Sequence, residues 1–449
     1  MNMIHPQDGA TTAGSREPSP PQAPSSTLPT SHTFHFALVV GAAFVLYWAS
    51  SFILEARNAT THFGADSWYF AELAQGNVFA RLSSNYFLDR VARFHPTTVV
   101  MAAAWMQIFN PLTQWVAPLY LLKAMFAAAG AVGVWAAMSS FAAVVPRSYA
   151  VLFGIVYATS FGVWYFSSFE ESKIITASLS VLYIASYVRV RKSWTVRGMV
   201  LLTAILLVAC LNEMVSGFLV VIPLVDTLIL RGWDWRRGRW IAVHALAGPI
   251  AFALIEVVLY GSVVAATHPE GSSHLGLLIF YVSQNHYSVQ EFYSFLINWL
   301  FFNIAAPTPD ASYGVPLGAN YKGHAFKGYF EPALMNYLFS PASIGVAVLF
   351  CATLLASILP RYRAQYRVHA SNDIRALLLA LMAFTLLRGT FFFVFNPREP
   401  LLFSPAVTLP HLMMIGSLFV ASRLPAQHLF LGVFAVLEFI ANGAFIIGR

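Results

Sequence analysis

The sequence predicts an all-α, polytopic membrane protein with about eleven transmembrane helices. Hydrophobic residues make up 58% of the 449 residues and charged residues only 10%, whereas soluble domains carry about 25% charged residues. Apolar runs such as FHFALVVGAAFVLYWASSFIL are long enough to cross about 30 Å of hydrocarbon, and they recur along the chain. Open strands cannot satisfy their backbone in lipid and no alternating barrel strands are visible, so helical spans are expected.

A polar segment precedes the first transmembrane helix. Residues 1–32 are rich in Pro, Ser and Thr. This composition cannot bury a core, so we expect a disordered cytoplasmic tail. The segment lacks the short charged start and the immediate apolar core of a signal peptide. Residues 33–449 are expected to form the transmembrane domain.

The basic loops predict the orientation of the helices. Residues 189–197, 231–240 and 360–375 are rich in Arg and should face the cytoplasm by the positive-inside rule. Two long loops, at about residues 55–116 and 267–335, then share the outer face. The net charge of +7 comes from short loops of this kind. We therefore attribute it to membrane topology rather than to nucleic-acid binding.

The apolar segment HPTTVVMAAAWMQIF, residues 95–109, decides whether this orientation is consistent. If the segment crossed the membrane, the basic loop at 189–197 would move to the outer face. It is also short for a span. We therefore predict a juxtamembrane helix that lies in the first outer loop and does not cross.

Several common sites are absent from the sequence. No zinc-ligand spacing, Walker loop or GxGxxG motif is present. Cys210 and Cys351 both lie inside apolar runs, so no disulfide framework is expected.

Charged residues concentrate at the predicted outer ends of the helices, where acids beside lipid are costly. If the helices form a bundle, these ends converge on one outward cavity. A carboxylate there can act as a general base on a hydroxyl group, and Arg or Lys can hold a phosphate. The candidate residues are Asp66, Arg93, His95, Glu170, Glu171, Lys173, Glu213, Arg398 and Glu399.

The order of three short motifs resembles the GT-C glycosyltransferases. The motifs are ADSWYFAELA, RFHPTTVV and NPREPLLFSPAVTLPHLMMIG. They are similar to the branch that holds the protein O-mannosyltransferases and the lipid A aminoarabinose transferase, where an acid in the first outer loop precedes an HPPL-like turn. Thr97 and Thr98 replace the second Pro and the Leu of that turn, and Glu399 replaces an aromatic residue after the family's arginine.

The resemblance implies a reaction and roles for three residues. Asp66 aligns with the catalytic or metal-associated acid of loop one, His95 with the histidine of the HPPL-like turn, and Arg398 with an arginine that helps to bind the lipid phosphate. The implied activity is inverting transfer of a sugar from a polyprenyl-phosphate donor to a lipid, glycan or protein acceptor. The topology predicts that the site faces outward, and the short loops indicate a bacterial inner membrane. Whether a divalent cation, Mg²⁺ or Mn²⁺, binds near Asp66 is left open, since loop one carries no dense set of carboxylates.

Simpler roles stay open for these residues. Asp66 suits an N-cap before SWYFAEL. Residues 170–173 suit a solvated turn with a local ion pair, and Glu213 suits a hairpin cap. Arg398 and Glu399 can pair with each other, and Arg388 is expected to snorkel outward or to pair with an acid.

Two other classes of protein compete with the glycosyltransferase. A lipid or oligosaccharide transporter would be expected to show internal repeats, broken helices and charges deep in its spans. A polysaccharide polymerase or ligase would use a polyprenyl-diphosphate donor and more than one arginine in its cavity. The concentration of charges at outer helix ends favours the enzyme.

Overall fold

The computed structural model describes residues 30–56, 95–231, 234–255, 257, 282–283, 287–306, 345, 372–397, 400–423 and 425–448. Within these ranges the regular elements are helices: α1 (Thr30–Ala56), α2 (Pro96–Phe109), α3 (Pro118–Phe141), α4 (Arg147–Thr159), α5 (Phe161–Ser167), α6 (Ser172–Val190), α7 (Val196–Asn212), α8 (Val221–Arg231), α9 (Trp235–Ala245), α10 (Ala247–Ala253), α11 (Val289–Ile297), α12 (Asn372–Phe395), α13 (Pro400–Phe403), α14 (Pro405–Ala421) and α15 (Gln427–Gly448). Short 3₁₀ segments cover Asn110–Gln114 and Met214–Val220, and a π turn covers Asn298–Phe302.

The helices have the length and composition of a polytopic membrane protein. Of those described, α1, α3, α6, α12 and α15 are long and apolar enough to cross a membrane, and the pair α4–α5 adds a sixth span with a 59° bend. Three shorter apolar helices cover Val196–Asn212, Met214–Ile229 and Pro405–Ala421. The predicted all-α, polytopic class is confirmed; the predicted number of eleven spans includes segments outside the described residues and stays a prediction.

Small residues bring the central helices close together. In α3, a Cβ atom on Gly130 would lie 2.1 Å from the Ser167 Oγ atom, and one on Gly133 would lie 3.0 Å from the Ser178 Oγ atom. Helices in lipid associate largely through such close backbone approach. The glycine- and alanine-rich middle of α3 therefore sets its packing against α5 and α6.

Both ends of α2 contact the same end of the bundle. The side chain of His95, at its start, bonds the backbone of Asn212 at the end of α7. Near the other end of α2, Trp105 Nε1 donates to the carbonyl oxygen of Leu121 at the start of α3, over 2.8 Å. Fourteen residues at 1.5 Å each give about 21 Å, less than a bilayer core of about 30 Å. This is the arrangement predicted for a helix that does not cross.

The basic loops meet at the opposite end. Arg191, which follows α6, pairs with Asp226 of α8 through Nε at 2.9 Å and Nη2 at 2.5 Å. Its Nη2 also donates to the carbonyl oxygen of Asp373 in α12, at 2.8 Å. Residues of the 189–197 and 360–375 loops thus share one face, as their common predicted orientation requires.

Candidate active site

The end of the bundle near α2 carries two buried groups of charges. The Glu213 cluster consists of Lys173, Glu213 and Arg388, and the Lys123 cluster consists of Glu55, Lys123 and Glu170. Buried charges are found in proteins when they are paired. Each cluster joins helices that are distant in sequence, so each is a product of the fold rather than of a local turn.

Two cations share the carboxylate of Glu213. Arg388 Nη2 lies 2.5 Å from one oxygen, Oε2, and Lys173 Nζ lies 3.4 Å from the other, Oε1. The Arg388 side chain is 1% exposed and that of Glu213 is 8% exposed. Among the described residues, the Nε and Nη1 atoms of Arg388 have no hydrogen-bond partner. The guanidinium therefore retains two donor positions beyond its ion pair.

Aromatic rings support both cations. The Lys173 ammonium lies 4.9 Å from the ring centroid of Phe403, and the Arg388 guanidinium lies 4.9 Å from that of Phe392. The two rings stack on each other, with centroids 4.0 Å apart and planes 11° apart. Cations over ring faces are stabilised by the ring quadrupole. This stack links α12 to α13 and fixes the spacing of the two positive charges.

The two cations control the ionisation of Glu213. Burial raises the pKa of this carboxyl, but the opposing effects of Arg388 and Lys173 are together larger and hold the pKa at about 2. Glu213 thus stays ionised at neutral pH. It is suited to be a fixed counterion and poorly suited to accept a proton.

The local backbone explains how these side chains come together. α7 ends at Asn212, since Glu213 is extended (φ −153°, ψ 114°) and the chain then turns into the 3₁₀ segment. At the start of α6, Glu171 caps the helix: its Oε1 atom accepts from the backbone nitrogen of Ser172 at 3.0 Å. This capped start presents Lys173 from the first turn.

The Lys123 cluster places a lysine between two acids. Lys123 Nζ lies 2.5 Å from Glu55 Oε2 and 3.5 Å from Glu170 Oε2. Lys123 is fully buried and Glu170 is buried, while the Glu55 side chain is 33% exposed. Burial raises the pKa of Glu170, and the attraction of Lys123 only partly offsets this effect. Glu170 therefore holds a proton more readily than Glu213 does.

Asn212 connects α2 to both neighbouring helices. Its Oδ1 atom accepts from the Thr98 backbone nitrogen at 3.0 Å and from Thr98 Oγ1 at 2.6 Å, and its Nδ2 donates to Thr176 Oγ1 at 2.8 Å. Its backbone carbonyl lies 2.7 Å from His95 Nδ1. Since a carbonyl oxygen only accepts, Nδ1 of His95 carries the proton. The first outer loop thus re-enters the bundle at a fixed point beside Glu213.

The structure brings part of the predicted site together. His95, Glu170, Glu171, Lys173 and Glu213 lie at one end of the bundle. The other candidates lie outside the described residues: Asp66, Arg93, Arg398 and Glu399. The catalytic and binding roles of all nine residues stay predictions.

Three simpler sequence interpretations can be compared with this geometry. The solvated turn proposed for residues 170–173 is wrong, because Glu170 and Glu171 are 2% and 1% exposed: the neighbouring helices cover the turn. Glu213 terminates α7, but its carboxylate binds cations from other helices. Arg388 pairs with an acid, which is the second of the two roles expected for it.

Sequence reasoning missed Lys123 and Asn212. Lys123 stands alone in the apolar run PLYLLKAMF, and a lone cation inside such a run is a signal of a buried pair. Asn212 gave no comparable signal, since its partners His95, Thr98 and Thr176 come from parts of the chain that only the fold brings together. Among the described residues, no group of three or more His, Cys, Asp or Glu side chains is placed to hold a metal ion.

Comparisons with known proteins identify the fold. No protein-family model and no curated protein sequence matches the chain. Its structure is similar to that of ArnT from Cupriavidus metallidurans in the apo state, with a TM-score of 0.53 and 16% identity over 89% of this chain and 61% of that one. It is also similar to the apo oligosaccharyltransferase of Archaeoglobus fulgidus, with a TM-score of 0.54 and 15% identity over 93% of this chain and 56% of that one.

The same oligosaccharyltransferase, tethered to an acceptor peptide that contains the NVT sequon, gives a TM-score of 0.52 at 15% identity, over 93% of this chain and 55% of that one. The chain thus spans 55% to 61% of the length of these proteins. Both are GT-C proteins, and the chain therefore has the GT-C fold of polytopic membrane proteins.

Proposed function

We propose that the chain transfers a sugar from a polyprenyl-phosphate-linked donor to a lipid, glycan or protein acceptor at the outer face of the membrane. The observation that carries this proposal is the guanidinium of Arg388 in the Glu213 cluster. It pairs with Glu213 through Nη2, and two of its other donors are buried without a partner among the described residues. A buried cation with unmet donors is suited to an anionic ligand.

The free donor positions of Arg388 favour a phosphate as that anion. Its Nε and Nη1 atoms are buried and lack partners among the described residues, and unmet buried donors carry a desolvation cost. A guanidinium binds phosphate oxygens through charge-assisted hydrogen bonds. The Nε and Nη1 groups of Arg388 point in different directions, so a phosphate beside Arg388 would take up one of these unmet donors.

The membrane setting favours a phosphate that is attached to a lipid. Helix α12 is long and apolar enough to cross a membrane. On the face away from Arg388, its Leu386 and Val394 are 62% and 42% exposed, as expected for side chains that face hydrocarbon. A polyprenyl phosphate lies in that hydrocarbon, whereas a soluble sugar nucleotide does not.

The proposed reaction is a single displacement. The acceptor oxygen attacks the anomeric carbon, the bond from that carbon to the phosphate oxygen breaks, and the electron pair leaves with the lipid phosphate. Asp66 takes the acceptor proton, and attack from the opposite face inverts the anomeric centre. Since phosphate is a stable leaving group, the enzyme contributes positioning and charge stabilisation rather than a covalent nucleophile.

The remaining candidates have supporting roles in this proposal. Arg398 joins Arg388 and Lys173 in binding the donor phosphate, and Arg93 and Glu399 contribute to substrate binding. The acceptor lies beside His95 and the acids that begin α6, Glu170 and Glu171. The GT-C fold, which the chain shares with an oligosaccharyltransferase, supports this class of reaction.

Transfer from radiolabelled polyprenyl-phosphate sugars by the purified protein tests the proposal. We expect wild-type protein to transfer label to an acceptor and Asp66→Ala to lose at least about a hundredfold in rate, as for removal of a general base. The exposed residue Arg197 provides a control variant, Arg197→Ala, with unchanged transfer. Normal transfer by folded Asp66→Ala would show that Asp66 is not the proton acceptor.

A further inference from the structure

The span formed by α4 and α5 is broken at Ser160, in a stretch that contains no proline. The two helices meet at 59°, and Ser160 between them is extended (φ −55°, ψ 133°). Kinks of this size usually arise at Pro, at Gly or Ser, or where a side chain enters the helix. In lipid, the backbone groups that such a break releases need other partners.

The turn at residues 303–306 supplies two of these partners. The backbone nitrogens of Phe161 and Gly162 donate to the carbonyl oxygens of Ile304 at 2.9 Å and Asn303 at 2.8 Å. A Cβ atom on Gly162 would clash with Asn303 Oδ1. A larger residue at 162 would therefore displace the Asn303 side chain, which bonds Ser404 and Thr408.

Asn442 of α15 provides hydrogen-bond partners for further backbone groups at the break. Its Nδ2 atom donates to the carbonyl oxygens of Thr159 at 2.7 Å and Ile304 at 2.9 Å. Its Oδ1 atom accepts from the backbone nitrogen of Ala306 at 2.6 Å. One side chain thus joins the break in the α4–α5 span to the turn at residues 303–306.

Glu438 lies one helical turn before Asn442 and contacts the same break. Its Oε2 atom lies 2.9 Å from Thr159 Oγ1 and its Oε1 atom lies 3.2 Å from Ser160 Oγ. The residue is 0% exposed. The sequence-based expectation that charged residue types lie at outer helix ends is wrong here, because the two hydroxyl groups of the break provide a polar environment within the span.

Among the described residues, the titratable groups near Glu438 are neutral phenols. Helices α1 and α4 pack against α15. Tyr47 of α1 interacts with Glu438, and Tyr157 of α4 interacts with Tyr47. Among the described residues, no Lys, Arg or His pairs with Glu438. An ionised carboxylate in this position would be buried without a counterion among these residues, which is strongly unfavourable.

We propose that Glu438 is a neutral, protonated acid that, together with Asn442, holds the α4–α5 span in its broken form. Its two oxygens engage the hydroxyls of Thr159 and Ser160, while Asn442 engages the backbone carbonyl of Thr159. The break redirects α5 and so sets where the chain emerges at Glu170 and Lys173. This proposal does not depend on glycosyl transfer.

The alternative role for Glu438 is to release and rebind a proton, or to bind a cation, during a transport cycle. Acids beside broken helices serve that purpose in transporters. Replacement of Glu438 by Gln distinguishes the two, since Gln keeps the shape and hydrogen bonds of a neutral acid but can neither release a proton nor bind a cation by charge.

The test compares wild type, Glu438→Gln, Glu438→Ala and a control, Val436→Ala, as full-length protein in lipid nanodiscs. Val436 lies two residues away and is 58% exposed. Thermal unfolding is measured at several pH values and with or without Na⁺. Infrared spectra of wild type and Glu438→Gln are recorded at neutral pH. Their difference spectrum shows whether wild type contains the carbonyl stretch of a protonated Glu438.

We expect Glu438→Gln and Val436→Ala to unfold at the wild-type temperature at every pH, and Glu438→Ala to unfold several degrees lower. The infrared difference should contain the band of a neutral acid. Absence of this band, a Glu438→Gln protein as unstable as Glu438→Ala, or a Na⁺-dependent stability that Glu438→Gln abolishes would each overturn the proposal. If Glu438→Ala does not fold, the Gln variant and the infrared band still decide the outcome.

Discussion

The Nη2 atom of Arg388 donates to the Oε2 atom of Glu213 over 2.5 Å, although 175 positions separate the two residues in sequence. This contact ties α12 to the turn that follows α7. Because Lys173 binds the other oxygen of the same carboxylate, three parts of the chain meet at one acid. The stability of the fold and the charge of the proposed phosphate site therefore depend on the same three side chains.

Removal of Arg388 should strongly destabilise the protein. Breaking a buried ion pair by truncating one partner costs about 3–5 kcal/mol, and among the described residues Glu213 would keep the more distant ion pair with Lys173. We expect Arg388→Ala to lower the free energy of unfolding by an amount of this order, and Arg197→Ala, at an exposed arginine, to change it little. Denaturant unfolding in detergent measures both.

A double-mutant cycle identifies the partner of Arg388. In a Glu213→Gln background, Arg388→Ala should cost clearly less than it does alone, because the carboxylate is already absent. Additive effects of the two substitutions would show that Arg388 acts without Glu213.

The pH dependence of stability should reveal Glu213. Its pKa is lowered from 4.5 to about 2 in the folded protein, so the folded state binds this proton less readily than the unfolded chain does. The stabilisation, up to about 3 kcal/mol, is complete above the unfolded pKa and is lost as the pH falls from about 4.5 toward 2. Glu213→Gln should lack this acid-induced loss; an identical acid profile for both proteins would contradict the low pKa.

Glu170 should respond in the opposite sense. Burial raises its pKa, so its ionised form costs stability as the pH rises above the unfolded pKa. Lys123 keeps Glu55 as a partner at 2.5 Å when Glu170 is neutralised. We expect Glu170→Gln to be at least as stable as wild type at neutral pH, in contrast to Glu213→Gln. Thermal unfolding at neutral pH compares the two, and a marked loss of stability in Glu170→Gln would refute this distinction.

Asn212→Ala should release α2 from the bundle. The substitution leaves the Thr98 backbone nitrogen, buried beside Asn212, without its acceptor, and removes the bond to Thr176. Loss of buried hydrogen-bond partners costs about 1–3 kcal/mol. Hydrogen exchange should rise in α2 and much less in α3. Thr113→Ala, which removes only a local bond on an exposed turn, provides the control.

The sequence predicted the architecture well, because composition and basic loops report directly on the bilayer. It also located His95, Glu170, Lys173 and Glu213 at one end of the bundle. Which charge pairs with which was not predictable: Lys173 pairs with Glu213 on another helix, since the partner depends on helix packing that no local pattern encodes. The role of Asn212 depends on three helices meeting, which is likewise visible only in the fold.

The break at Ser160 was hidden for a related reason. Its causes, Asn442 and the turn at residues 303–306, are distant in sequence, and a Ser within an apolar run reads as ordinary helix. Glu438 did give a signal in the sequence, because it is an acid inside the apolar run FAVLEFIANG. Acids inside membrane spans are costly and usually have a specific role.

Binding of a polyprenyl phosphate to the purified protein tests the central proposal, that Arg388 and Lys173 hold a lipid-linked phosphate, most directly. Dissociation constants for polyprenyl phosphate and for the uncharged polyprenol are measured for wild type and for folded Arg388→Ala, Lys173→Met and Arg197→Ala. Loss of a charged hydrogen bond costs about 1.5–3 kcal/mol, so we expect about tenfold to a hundredfold weaker phosphate binding by the first two variants only. Equal affinity for phosphate and polyprenol in wild type, or unchanged phosphate binding by both cluster variants, would contradict the proposed site.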